Sequence, residues 1–112
     1  MTTLLALYRR PDGGSEGLEA FERAYAVEHL PLVAATPGLL ELRVDRVTDS
    51  LGEATDLVLV ARMRFADRAA LDAGLASDPM REAGRSLRRI APGLATLLVL
   101  EDAPDLLPPV QP

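Results

Sequence analysis

The 112-residue sequence predicts an α+β domain of ferredoxin-like βαββαβ type, built on a four-stranded antiparallel sheet. Three observations predict it. Four short segments are apolar or alternate apolar with charged residues, as strands do. Two longer regions repeat apolar residues at spacings of three and four, as amphipathic helices do. Pro/Gly clusters separate these segments in the order strand, helix, strand, strand, helix, strand.

Thr3 to Arg9, TLLALYR, is the first strand, and Arg10-Pro11-Asp12-Gly13-Gly14 turns the chain after it. Ser15 is the expected cap of the first helix, where Leu18, Phe21, Tyr25, His29 and Leu32 form one inward stripe. Pro31 lies inside that pattern. It removes a backbone donor, clashes with the carbonyl four residues back and biases Leu30 away from helical geometry, so a kink is expected near Glu28 to Leu30. Pro37-Gly38 ends the short continuation.

Leu40 to Val47, LELRVDRV, places Leu40, Leu42 and Val44 on one face and Glu41, Arg43 and Asp45 on the other, as an edge strand often does. Leu57 to Phe65, LVLVARMRF, is apolar on both faces in its first half and reads as a central strand. Asp67 is the expected cap of a helix through Ala76. Asp78-Pro79 reads as cap and first-turn proline of a helix to about Arg89, stopped by Pro92-Gly93. Ala95 to Glu101, ATLLVLE, is the fourth strand. The folded domain is placed at residues 1–102, with a proline-rich tail over 103–112 that is expected to be extended or disordered.

This topology gives the sheet order 4-1-3-2 and leaves an apolar fourth strand at an edge. An apolar edge, with a second sheet face that no helix covers, predicts a homodimer that joins two sheets into a barrel.

Composition removes much chemistry. There is no cysteine, so disulfides and thiolate chemistry are excluded, which fits a reducing cytoplasm. All twelve basic residues are arginine, so there is no lysine for a Schiff base or a P-loop. A net charge of -5 and only four aromatic side chains argue against nucleic acid. No apolar run approaches the ~20 residues of a membrane span, and none has the form of a signal segment. One histidine cannot build a multi-histidine metal site, and no carboxylate-rich loop has metal-ligand spacing, so no metal is expected.

His29 is the one side chain whose ordinary pKa permits proton transfer near neutrality, and it lies on the inward stripe beside the break at Pro31. Two roles fit it: a proton shuttle in a pocket, or a structural bond to a carbonyl freed by Pro31. Tyr25, one turn earlier, and Tyr8, at the end of the first strand, are able to position a ligand oxygen, or to serve as core aromatics with hydroxyls at the rim. Arg43 and Asp45, with Arg62 and Arg64 across the strand pair, suit a polar floor for an anionic ligand or a set of cross-strand ion pairs. Leu5, Leu7 and Val60 are the expected apolar walls.

The segments LLALYRRP, EAFERAY, EHLPL, TPGL and VDRV resemble, in order and spacing, the EthD family of the dimeric α+β barrel superfamily. The resemblance covers about residues 3 to 102, and its most specific part is Phe21, Tyr25, His29, Pro31 and Leu32 followed by Pro37-Gly38. It implies a homodimer with a pocket between sheet and helices in each subunit. It further implies a small-molecule enzyme or binding protein acting without cofactor on a hydrophobic carbonyl, lactone or aromatic metabolite. The alternative is a non-catalytic ligand carrier or accessory of an oxidation pathway. One departure stands out: where the family often has an acidic residue and an Asn-Phe pair, this chain reads Ser86-Leu87-Arg88-Arg89-Ile90.

Overall fold

The computed structural model describes residues 1–110. In chain order they form β1 (Thr2–Arg9), α1 (Gly14–Ala24), a π-helical turn (Tyr25–His29), α2 (Leu30–Ala34), β2 (Glu41–Arg46), β3 (Leu57–Phe65), α3 (Arg68–Leu75), α4 (Asp78–Ile90) and β4 (Ala95–Glu101). The strands make one antiparallel sheet in the order β2-β3-β1-β4, which is the expected topology. No helix among the described residues is long and apolar enough to cross a membrane.

Two of the three expected helix starts move by a residue or two. Gly13, at φ 97°, takes the cap position of α1, and Ser15 lies inside the first turn. A left-handed residue bends the chain sharply out of β1, and only glycine adopts it without a steric penalty, so backbone geometry sets this start instead of a side-chain cap. Helix α4 is capped by Ser77, whose Oγ accepts from the Met80 N–H, while Asp78 and Pro79 fill the first turn. Asp67 caps α3 as expected, accepting from the Ala70 N–H at 2.8 Å.

The break expected near Glu28 to Leu30 takes the form of a widened turn. The Leu30 N–H reaches back five residues to the Tyr25 carbonyl. Pro31 then occupies the second position of α2, where a missing N–H costs little because first-turn donors have no partner within the helix.

Alternation along β1 divides the molecule into two faces. Thr2, Leu4, Ala6 and Tyr8 are buried, and the intervening residues are half-buried. Their cross-strand partners Phe65, Met63, Ala61 and Leu59 are buried as well, and the helices supply Phe21, Tyr25, Val33, Leu71 and Ala83 to the same core. Each large apolar side chain withdrawn from water here contributes about 1.5 to 3 kcal/mol. Packing is tight where α3 meets the sheet: a Cβ at Gly74 would stand 2.9 Å from Phe65 Cε1 and 3.1 Å from Thr36 Cγ2.

The far face of the sheet carries Leu5 and Leu7 of β1 and Val60 of β3, and the β4 edge exposes Leu97, Leu98, Val99 and Leu100. Beyond β4 the chain makes one 3-10 turn at Pro104–Leu106 and stays exposed through Val110. Gln111 and Pro112, the last two residues of the expected tail, lie outside the described residues.

Candidate functional site

The aromatic stripe of the first helical region packs on the end of β1. The Phe21 and Tyr25 rings lie 5.7 Å apart, Tyr8 meets Tyr25 edge to face at 5.0 Å, and the Tyr25 ring stacks on the His29 imidazole at 5.1 Å with 24° between planes. His29 closes the series at the end of the π turn, where it faces α4.

Its Nδ1 lies 3.0 Å from the Ala83 carbonyl oxygen and 3.0 Å from Ser86 Oγ. A carbonyl only accepts, so the proton is on Nδ1, and Nδ1–H donates to Ala83 O. The Ser86 hydroxyl spends its own hydrogen on the same carbonyl at 2.9 Å, which leaves Oγ free to accept from His29. This arrangement fixes the tautomer and leaves Nε2 as a base. Among the described residues Nε2 has no protein partner. No fully shielded side-chain nitrogen or oxygen lacks one, so Nε2 is not shielded.

His29 lines a cavity of about 150 Å³ between β1, β4 and α4, together with Leu4, Tyr8, Met63, Met80 and Leu97 among others. The wall is apolar apart from the imidazole and the Tyr8 phenol. Burial holds the His29 pKa below its ordinary value, while the Ala83 carbonyl works in the opposite direction. The imidazole is therefore neutral near pH 7. Burial, reinforced by the neighbouring Tyr25 phenol and by the hydrogen bond that Tyr8 donates to it, pushes Tyr8 far above the usual phenol range, so Tyr8 stays protonated.

Of the five site residues read from the sequence, His29 and Tyr8 meet at this cavity. Tyr25 contacts both rings but faces a separate depression with Glu22, Leu30, Val44 and Arg46, whose charged rim is closed by the Arg46–Glu22 pair at 2.9 Å. Arg43 and Asp45 do not join the cavity. The register pairs them with Arg62 and Val60 on the opposite face of the sheet. There Asp45 pairs with Arg62 at 3.1 Å and Arg43 at 3.5 Å, and Arg64 pairs with Glu41 at 3.5 Å. The expected walls Leu5, Leu7 and Val60 share that far face, because a strand turns alternate residues to opposite sides. The actual walls come from the other parity of β1 and β3 and from α4.

Sequence reasoning missed Ser86. The signal was present: Met80, Ala83, Leu87 and Ile90 repeat at helical spacing in α4, and Ser86 is the polar residue beside that stripe. The segment read as a departure from the family pattern thus supplies the group that holds His29. The carbonyl that His29 grips belongs to α4 and was not freed by Pro31, so the structural role expected for it takes a different form.

No family model matches the chain, and no curated protein matches it. Solved structures do. The chain is similar to an ethyl tert-butyl ether D (EthD) family protein from Bacillus halodurans C-125, with a TM-score of 0.82 and 28% identity over 92% of this chain and 99% of that one. It is similar in fold to a dimeric ferredoxin-like protein of unknown function from Jannaschia sp. CCS1, with a TM-score of 0.66 and 22% identity over 91% of this chain and 100% of that one. A third is SnoaB, a cofactor-independent oxygenase from Streptomyces nogalater, with a TM-score of 0.59 and 19% identity over 90% of this chain and 91% of that one. The resemblance to the EthD family read from the sequence therefore extends to the fold.

Proposed function

We propose that this chain is an EthD-like small-molecule protein that works without a cofactor on a hydrophobic carbonyl, lactone or aromatic compound, with His29 as the proton-accepting group. The observation that carries the reading is the fixed imidazole: Nδ1–H is held by Ala83 O and Ser86 Oγ in the wall of an apolar cavity. The likeness to the EthD family protein supports it, as does the shared fold of the Streptomyces nogalater protein, an oxygenase that needs no cofactor.

In this reading the ligand buries its apolar body against Leu4, Met63 and Met80, with a carbonyl oxygen toward Tyr8. Nε2 takes a proton from the carbon next to the carbonyl. The C–H electron pair becomes the new C=C bond, the carbonyl π pair moves onto oxygen, and the Tyr8 O–H turns from Tyr25 to donate a hydrogen bond to the enolate that forms. The Ala83 carbonyl and Ser86 Oγ stabilise the imidazolium, which returns the proton to the same or a neighbouring atom. The apolar wall strengthens each of these contacts.

The same reading makes the protein a homodimer. The exposed apolar residues of β4 support this, as does the likeness to the dimeric Jannaschia protein. Its place is the cytoplasm, in keeping with a chain free of cysteine.

The test is a panel of small ketones, lactones and phenols incubated in deuterium oxide. The parent protein is expected to speed deuterium exchange next to a carbonyl, and His29→Gln to abolish it. Thermal stabilisation by a panel member with no exchange or turnover in the parent would make the protein a carrier.

A further inference from the structure

A second depression of about 250 Å³ adjoins the cavity at His29, between α4 and β4, and Gly84, Leu87 and Leu97 line both. Gly84 opens the junction: the nearest atom to a Cβ built there is Arg88 Nη1, at 3.9 Å. The Arg88 guanidinium thus hangs over bare backbone at the point where the two spaces meet. Its neighbours on α4 are engaged, Arg85 with Glu82 and Arg89 with Glu28, whereas Arg88 has no carboxylate partner among the described residues. The remainder of the trench wall, including Ala91 and Ala95, is apolar.

We infer that the trench takes the anionic end of the ligand: the substrate is a compact hydrophobic acid whose ring fills the His29 cavity and whose carboxylate is bound by Arg88. This rests on the reading of the His29 cavity as a ligand site. A space of about 150 Å³ admits a ring of roughly benzene size, and a longer ligand that continues past Gly84 meets the guanidinium. A planar guanidinium binds a carboxylate through two parallel hydrogen bonds, a geometry suited to selecting an acid over its neutral analogues. The chain as a whole carries a net charge of -5 and repels anions, so an uncompensated cation beside an apolar trench is where an acid gains.

The test uses 3-phenylpropanoate and 4-phenylbutanoate beside their primary amides, titrated calorimetrically into the parent, Arg88→Ala and Gly84→Leu proteins. In the parent at least one acid is expected to bind about tenfold more tightly than its amide, a difference that corresponds to one charge-assisted contact. Arg88→Ala is expected to erase that preference by weakening the acid about tenfold more than the amide. Gly84→Leu, which fills the junction, is expected to weaken both. Equal binding of acid and amide, a preference that survives Arg88→Ala, or no binding of any probe at millimolar concentration overturns the inference. A change of dimer dissociation in Arg88→Ala, with no acid preference to lose, also overturns it and gives the trench to the second copy. His29→Gln separates the two proposals. Acid preference kept in that variant, with no exchange in the parent, sinks the proton transfer alone; exchange that depends on His29, with no acid preference, sinks the trench alone.

Discussion

His29 should make the protein lose stability in mild acid, and His29→Gln should remove that loss. In the fold the neutral ring has Nδ1–H paired twice at 3.0 Å and is itself buried beside an apolar cavity. A second proton would put a charge where water is scarce, and burial accordingly lowers the folded pKa. The unfolded chain has an ordinary histidine near 6.5. Above that value the ring is neutral in both states and contributes no pH dependence. As pH falls through about 6.5 the unfolded state binds the proton first, so folding stability drops, by at most about 1.4 kcal/mol per pH unit for one group. The drop levels off once the pH passes the lowered folded value. Gln keeps a donor for Ala83 O and cannot titrate, so its cost near pH 7.5 is about 1 kcal/mol or less. Urea melts of both proteins from pH 5 to 7.5 provide the comparison, since carboxylate effects common to both cancel in the difference. A pH-independent difference, or a parent that gains on the variant toward acid, would refute the idea of a neutral, desolvated imidazole. His29→Leu should also be mild, at about 1 kcal/mol, because the Ser86 hydroxyl still satisfies the Ala83 carbonyl.

Light scattering at micromolar concentration should report twice the 12.0 kDa of one chain, with an interface above about 1,200 Å²; a stable monomer would remove the barrel. Deleting Pro104 to Pro112 should shift stability by less than about 1 kcal/mol, because the described part of that segment is exposed, and a larger loss in chemical melts would mean that Leu106, Leu107 or Val110 docks on the partner. Gly74→Ala should cost about 1 to 3 kcal/mol by overpacking Phe65 and Thr36; an unchanged melting temperature would show that α3 packs less tightly on the sheet than these distances require.

Strand parity explains much of what sequence could and could not provide. Alternation and turn residues suffice to place all four strands to within a residue or two, because each pattern is local. Which parity faces the helices is a tertiary fact. In β1 both sets, Leu5 and Leu7 as well as Leu4 and Ala6, are apolar, so the wall residues could not be chosen from pattern alone, and the wrong set was expected. Arg43 and Asp45 follow from the same choice. Ser86 was beyond reach for another reason: its partner is 57 residues away in the chain, and only packing of α4 on the π turn brings the two together.

The proline beside the histidine is accounted for by helical phase. The residues buried along the first helical region are Phe21, Tyr25, His29 and Val33, three consecutive steps of four. In a straight α-helix each step of four overshoots a full turn by about 40°, so the stripe would drift by about 120° between Phe21 and Val33. One extra residue in a widened turn takes back about 100° of that drift. The π turn over Tyr25–His29 therefore keeps four side chains on one line toward the core, where a regular helix would have carried Val33 toward solvent. This is also why Val33 is fully buried and Leu32, the position expected from spacings of three and four, is only half-buried. Pro31 favours the widened turn from its downstream end, because a regular helix would press the proline ring against the carbonyl of Val27. What the local strain secures is the imidazole: stacked on Tyr25 from the preceding turn and gripped by α4 through Nδ1, it has one nitrogen left to present to the cavity.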